Sequence, residues 1–164
     1  MDTLEIRELG PELEKPLARF FAAVIDQGVD KWFHPHPFTE KEASLRVNYS
    51  GRDAYYAVVL RGEIIAYGML RGWDEGFNIP SLGIAVHPLH EGRGIARVFI
   101  RFLHLVAIYK GAERVRLKVH TENARARQLY EGIGYHFSSS EGESLVGTRI
   151  LRRTRVESQS AQEL

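Results

Sequence analysis

The segment that most constrains this chain is residues 81–96, SLGIAVHPLHEGRGIA, in which an apolar run passes through a glycine-rich loop into a helical pattern. The pattern predicts a buried strand, a turn at Pro88 and a helix that begins next to Gly94. The first turn of a helix presents unpaired backbone N–H groups and a partial positive charge, so it binds anions. Glycines on both sides of Arg93 let a phosphate approach the main chain, because no Cβ intervenes. The segment therefore predicts a site for a phosphate-bearing cofactor whose remainder lies along the strand.

Helical and strand patterns alternate along the rest of the chain. Apolar residues at helical spacing predict helices at about 13–25, 40–49, 94–110 and 123–132, and β-prone apolar runs predict strands at about 4–9, 54–60, 63–70, 79–86, 115–119, 135–139 and 145–152. The order β-α-α-β-β-β-α-β-α-β-β predicts an α/β fold with a mixed sheet. Its central strand-loop-helix-strand unit implies a right-handed parallel crossover, and cofactors of open α/β sheets lie at the carboxyl ends of such strands.

The composition bounds the class of protein. A chain of 164 residues, 44% of them hydrophobic, predicts one domain over residues 1–155 and a polar tail at 156–164 that we expect to be disordered. The net charge of +1 gives no support for nucleic-acid binding, and no apolar run approaches the ~20 residues of a membrane helix. The chain has no cysteine, which excludes disulfides and thiolate nucleophiles, and the lack of an export signal favours the cytoplasm.

Two common phosphate-binding motifs do not fit the loop. A mononucleotide-binding P-loop requires G-x-x-x-x-G-K-[ST], but no Lys-Ser or Lys-Thr follows Gly94. A dinucleotide-binding loop requires G-x-G-x-x-G, and Arg97 occupies the position of the third glycine, where helix and strand pack closely. The cofactor must therefore be identified from another part of the chain.

Two segments resemble the signatures of the GNAT superfamily of N-acetyltransferases. Residues 94–96, Gly-Ile-Ala, follow an apolar strand that ends near a proline and are similar to the second half of the family's [Q/R]-x-x-G-x-[G/A] motif. Residues 123–135, NARARQLYEGIGY, resemble the family's N-x-x-A-x-x-[L]-Y-x-x-x-G-[FY] signature. The two signatures occur in the family's order, and the order of elements over residues 3–153 is also that of the family.

The resemblance implies a GNAT-like acyl-CoA N-acyltransferase fold, acetyl-CoA as cosubstrate without a metal, and a homodimer. Pyrophosphate would contact mostly backbone N–H groups of the loop, and pantetheine would pair with the central strand where the next strand splays away, commonly at a bulge. At Glu91 the chain departs from the family's Gln or Arg, and a carboxylate beside pyrophosphate is unfavourable unless it points away or pairs with Arg93 or Arg97. The implied cofactor-binding residues are Ile84, Ala85, Val86, Glu91, Gly92, Arg93, Gly94, Ile95, Ala96, Arg97, Asn123 and Tyr130.

The resemblance also implies direct attack of a neutral amine on the thioester, with Tyr130 as general acid for the leaving thiolate. The central strand carries no Asp or Glu, so we expect the general base to come from a loop. His36, whose imidazole titrates near neutrality, and the carboxylate of Glu75 are the candidates, with His34 and Asp74 as neighbouring alternatives. The His-Pro-His-Pro segment also fits a stiff loop with exposed imidazoles, and two histidines without a third ligand do not make a metal site. The expected acceptor-site residues are Trp32, His34, His36 and Trp73.

The acceptor amine is left open by the sequence. A small amine, an amino sugar, an amino acid, a peptide terminus and a protein lysine all fit the signatures, and the lack of a long acidic groove favours a small molecule. Two other classes of protein also stay open: a non-catalytic acyl-CoA-binding sensor and a nucleotide-binding module that uses the same loop.

Overall fold

The computed structural model describes residues 2–152, and the expected tail at 156–164 lies outside them. Seven strands form the framework: β1 (Leu4–Glu8), β2 (Ala54–Leu60), β3 (Glu63–Arg71), β4 (Ser81–Val86), β5 (Arg114–His120), β6 (His136–Glu141) and β7 (Ser144–Ile150). Four helices accompany them: α1 (Glu14–Asp26), α2 (Glu40–Val47), α3 (Ile95–Tyr109) and α4 (Ala124–Gly132). Short 3-10 turns occupy Pro11–Leu13, Val29–Lys31 and Pro88–His90. The predicted order of strands and helices is confirmed.

The strands form one mixed sheet in the order β1-β2-β3-β4-β5-β7-β6. Five of the six neighbouring pairs are antiparallel, and the pair of β4 and β5 is parallel and is connected through α3. This arrangement confirms the predicted α/β class and the parallel crossover at the centre of the chain.

Helices cover both faces of the sheet because side chains of a strand alternate between its faces. From β3, Tyr67 and Met69 pack among the buried residues of α1 and α2, whereas Ala66 and Leu70 pack against α3 and the strands beyond it. The sheet is therefore the middle layer between two hydrophobic clusters, which explains why β3 is buried from its second residue to its eighth.

The predicted helix ends agree with the capping geometry. Thr39 accepts a hydrogen bond from the backbone N–H of Glu42 at 3.1 Å, so it caps α2 as the sequence indicates. Gly28, beyond α1, has a left-handed backbone with φ of 71°, a conformation that glycine adopts without strain.

The inward face of α3 differs from the prediction. Val98 and Tyr109 belong to the predicted apolar stripe but are 62% and 85% exposed. The helix is rotated so that Ile100, His104 and Ala107 are buried beside the expected Phe99 and Leu103. The periodicity of the apolar residues predicted the position of the helix correctly. It did not predict which side of the helix faces the core, because α3 is apolar on more than one side.

Within residues 2–152, none of the helices combines the length and the apolar character that crossing a bilayer requires.

Candidate active site

A cavity of about 1380 Å³ opens where β4 and β5 separate. These strands pair in register only at Ser81 and Arg116, where the Arg116 N–H also donates to the Pro80 carbonyl at 3.0 Å. The pairing of β3 with β4 is continuous from Arg71 opposite Ser81 to Ala66 opposite Val86. The expected splay is therefore present, and β4 keeps a regular register with β3 along its length, without the expected bulge.

The backbone of β4 presents hydrogen-bonding groups to this cavity. The direction of backbone amides alternates along a strand, the His87 N–H donates to β3 at 2.8 Å, and the Pro80 carbonyl accepts from β5. It follows that Ile84 and Val86 direct their N–H and C=O groups toward the gap. The expected contribution of Ala85 is corrected: this residue lines the cavity, but its backbone groups face β3.

The glycine-rich loop lies at the other end of the same cavity. Gly92 and Gly94 have positive φ values of 74° and 82°, which favour glycine, and a Cβ at either position would meet no atom within 4 Å. Helix α3 begins at Ile95 without a side-chain cap, so the first-turn N–H groups of Ile95, Ala96 and Arg97 have no partner within the helix. Open space beside unpaired amides fits a pyrophosphate group.

The charged residues of this loop are placed differently from one another. Glu91 and Arg97 line the cavity, whereas the side chain of Arg93 is exposed outside its wall. Glu91 lies 3.6 Å from Arg125 of α4, a cation that the sequence analysis did not consider beside Arg93 and Arg97. Both partners are substantially exposed, so the ion pair contributes little stability. The positive charge of Arg125 does, however, partly offset the negative charge of Glu91 at the end of the cavity where the pyrophosphate would bind.

The two residues singled out from the second signature both line the cavity. Asn123 caps α4 by accepting from the Ala126 N–H at 3.3 Å, so its side-chain oxygen already has a structural role. Tyr130 is 9% exposed, and burial raises its pKa well above the usual value. A phenol with such a pKa keeps its proton at neutral pH, as a general acid must.

Tyr130 packs against Tyr135, which is in turn hydrogen-bonded to the buried His104. Tyr135 packs edge-on against Tyr130 with ring centroids 5.7 Å apart. The Tyr135 hydroxyl lies 2.6 Å from Nε2 of His104 on α3. The core of the α3–α4 side therefore fixes the position of the candidate acid.

The structure contradicts His36 as base and as acceptor contact. Its side chain is 5% exposed, packs among Phe21, Phe38 and Tyr67, and lies outside the cavity wall. Nδ1 lies 2.7 Å from the Pro37 carbonyl, which can only accept, so Nδ1 carries the proton and Nε2 accepts from the Tyr67 hydroxyl at 2.8 Å. Burial lowers the pKa of His36, and neither nitrogen is left to take a proton from an amine.

The prediction of Trp73 as an acceptor-site residue is also wrong, because its side chain lies in the core. It is 6% exposed in the hydrophobic cluster beneath α3, and the Lys110 ammonium lies 5.2 Å from the centre of its ring. The loop after β3 is fixed by Asp53, whose Oδ1 accepts from the N–H groups of Gly72 at 3.0 Å and Trp73 at 2.9 Å. Beyond that anchor, Glu75 of the same loop lines the cavity as expected.

The segment between α1 and α2 forms the opposite wall. Trp32 and His34 line the cavity as predicted, and Phe33 lies so close to β4 that a Cβ at Gly83 would come within 2.8 Å of its ring. The Trp32 ring meets His120 at the end of β5 with centroids 5.2 Å apart, which bridges the gap between the strands.

His120 is a cavity residue to which the sequence prediction gave no role beyond a strand end. Its Nδ1 accepts from the Glu122 N–H at 3.2 Å, so Nε2 carries the proton and faces the Glu143 carboxylate at 3.3 Å. The signal that could have identified it is its position at the carboxyl end of a strand next to a parallel crossover, where ligands of open α/β sheets bind.

In residues 2–152, no cluster of three or more His, Asp or Glu side chains is arranged to hold a metal ion.

A gap within a mixed sheet, with anion-binding amides at one end and a proton-bearing phenol on its wall, defines the site of a transferase that uses an acyl-CoA. Comparison with known proteins agrees with this class. Residues 19–135 match the acetyltransferase (GNAT) family model, and the chain belongs to that family. It is accordingly an acetyl-CoA-dependent N-acyltransferase.

Individual relatives show how far the likeness extends. Acetyltransferase SG1711 of Sodalis glossinidius (strain morsitans) is 28% identical over 112 residues, which are 68% of this chain and 75% of that protein. The crystal structure of the GNAT domain of S. lividans PAT superposes with a TM-score of 0.78 at 19% identity over 90% of each chain. RimL, a ribosomal L7/L12 alpha-N-protein acetyltransferase in complex with coenzyme A, gives 0.76 at 14% identity over 90% of this chain and 94% of its own.

Proposed function

We propose that this protein transfers the acetyl group of acetyl-CoA directly to a primary amine on a small molecule. The observation that carries the proposal is the continuous cavity, which joins the amides at the start of α3, the unpaired backbone of β4 and the Tyr130 side chain. These are the three parts that direct transfer needs: an anion site, a strand-like partner and a proton donor.

Different residues along the cavity would bind different parts of acetyl-CoA. Residues 92–97 would hold the pyrophosphate through backbone N–H groups, and the N–H and C=O groups of Ile84 and Val86 would hold pantetheine. Acetyl-CoA, when bound, supplies the thioester carbonyl. Tyr130 holds a proton at its hydroxyl for the departing sulfur, and an unpaired N–H of β4 is a donor for a developing oxyanion.

Glu75 is the base that we propose, with His34 as the alternative. Both line the part of the cavity that lies away from the glycine-rich loop, where an acceptor amine would enter. A carboxylate in this position accepts a proton directly or through one water molecule.

A small-molecule acceptor is favoured over a protein because Trp32, between α1 and α2, contacts His120 at the end of β5, and this contact narrows the cavity that both residues line. RimL acts on a ribosomal protein, so acceptance of a protein N-terminus is the competing outcome. We also propose a cytoplasmic homodimer. An exposed apolar stripe on α3, formed by Val98, Leu105 and Tyr109, supports the dimer, and light scattering of the purified protein tests it.

Calorimetric titration with acetyl-CoA, CoA and ATP tests the cofactor. We expect binding of the first two only, and binding of ATP with indifference to CoA would identify a nucleotide-binding module instead. Release of free thiol from acetyl-CoA across a panel of amines then tests catalysis. Binding of CoA with no turnover on any small amine or peptide would identify a sensor.

A further inference from the structure

The cavity wall away from the glycine-rich loop carries an excess of positive charge. Four cationic side chains line it, and Glu75 is its carboxylate among the described residues. The cations are Lys31, Arg71, Arg116 and Lys118. An acceptor amine that arrived as a simple cation would be repelled by this wall.

Three of these cations lie on one face of the sheet. Arg71 of β3 is opposite Ser81 of β4, and Ser81 is opposite Arg116 of β5. Arg71, Ser81 and Arg116 therefore form a row across the three strands. Residues paired in register share a face, and Lys118 joins that face two residues along β5. Two strand spacings place the Cα atoms of Arg71 and Arg116 about 10 Å apart, a gap that their two long side chains can close around one small anion.

These cations are remote from the pyrophosphate end. The row lies at Ser81, and the five residue steps from there to Val86 span about 16 Å of strand before the glycine-rich loop begins. Pyrophosphate at residues 92–97 cannot contact Arg116 across that distance. The charge therefore faces the acceptor.

The contacts of the cations leave part of their charge and donor capacity unused. Glu141 of β6 lies 3.1 Å from Nη2 of Arg116 and 2.5 Å from Nζ of Lys118, so one carboxylate serves two cations. Nε of Arg116 is buried with no acceptor among the described residues. Arg71 donates to the Pro35 carbonyl, a neutral partner that leaves its charge uncompensated. A buried donor without a protein acceptor is available to hydrogen-bond a ligand.

We propose that the acceptor is a small amine that bears a carboxylate, as an amino acid does, and that Arg116 binds this carboxylate with help from Arg71 and Lys118. The guanidinium fork matches a carboxylate geometrically. The same positive wall favours the neutral form of the attacking amine, because nearby cations lower the pKa of an ammonium group. This inference rests on the proposed function and specifies its substrate class.

The experiment compares amino acids with their carboxamides as acceptors, at fixed acetyl-CoA, by thiol release. We expect kcat/KM to favour the carboxylate form by about tenfold or more, as loss of a charge-assisted hydrogen bond predicts. The amine of a carboxamide is less basic than the amine of the corresponding amino acid, so a larger fraction of it is neutral and able to attack. This difference alone would favour the carboxamide, which is opposite to the expected result.

Arg116→Gln locates the preference. We expect it to lower kcat/KM for carboxylates about tenfold, mainly through KM, while the carboxamides and the affinity for CoA change less than about twofold. Arg114→Gln is the matched control, because Arg114 lies on the same strand outside the cavity wall. Lys118→Gln, at a more exposed position, gives a second and smaller loss if Arg116→Gln unfolds the protein.

The outcomes separate the two proposals. Turnover without a carboxylate preference, or a preference that Arg116→Gln and Lys118→Gln leave intact, overturns the inference and leaves the proposed function standing. Better turnover of peptides than of any amino acid overturns it in the same way. Absence of turnover with every amine, while CoA still binds, overturns both.

Discussion

Acidification should destabilise this protein through one buried histidine. His104 is 5% exposed in the core, and its Nε2 lies 2.6 Å from the Tyr135 hydroxyl. Burial, with smaller contributions from Arg149 and Arg101, lowers its pKa from 6.5 to about 4. Neutral His104 is therefore the form that the folded protein tolerates.

The sign and size of the effect follow from proton linkage. Between pH 6.5 and 4 the unfolded chain binds a proton at His104 that the folded chain does not, so stability is complete above pH 6.5 and declines as the pH falls. The full loss below pH 4 is about 3 kcal/mol, and the loss between pH 7.5 and 5 is about 2 kcal/mol.

Urea unfolding at pH 7.5 and pH 5 measures this loss in the natural protein and in His104→Gln. Glutamine cannot titrate but keeps a polar partner for Tyr135. His36 and His90, whose pKa values are also lowered chiefly by burial, contribute equally to both proteins and cancel in the difference. We expect acidification to lower the urea midpoint of the natural protein by about 1 M more than that of the variant. An equal shift in both proteins would refute the reasoning.

Four further substitutions test the site and its support. Tyr130→Phe should lower kcat by roughly 100-fold with little change in CoA affinity, and an unchanged kcat would remove Tyr130 as the acid. Gly94→Glu should weaken CoA binding at least about tenfold, because the left-handed backbone is strained for glutamate and its charge opposes the phosphates; retained affinity in calorimetry would place the cofactor elsewhere. Asp53→Ala should destabilise the protein by about 1–3 kcal/mol in urea unfolding, since it leaves loop N–H groups without their acceptor, and an unchanged midpoint would contradict this. Glu91→Gln should tighten CoA binding by on the order of 1 kcal/mol at low salt and change stability by less, because its pairing with Arg125 is exposed; weaker binding would show that Glu91 aids the cofactor.

The sequence predicted the elements around the cavity well because their signals are local. Alternation located β5, helical rhythm located α3, and glycines with left-handed backbones marked the start of α3 and the residue beyond α1. The predicted start of β4 was two residues early, because the strand begins only after Pro80. Such features depend on neighbours in sequence and are readable without a structure.

Side-chain placement was predicted less well because it depends on packing between distant segments. His36 packs in the core against Phe21 of α1 and Tyr67 of β3, which are distant from it in the sequence. Trp73 was expected at the acceptor site and instead packs under α3. In both cases an amphipathic side chain fits a cavity rim and a core equally well, and only the tertiary contacts distinguish the two.

The separation of β4 from β5 makes an interior strand resemble an edge strand. Ile84 and Val86 lie in the middle of a seven-stranded sheet, yet their amides on the β5 side have no partner strand. We therefore expect these amides to exchange hydrogen for deuterium far faster than the paired amides of the other interior strands. Acetyl-CoA at this position would complete the hydrogen bonding of the sheet. A ligand at 100 times its dissociation constant adds about 2.7 kcal/mol to stability, and bound acetyl-CoA would also connect the two halves of the sheet where β4 and β5 separate.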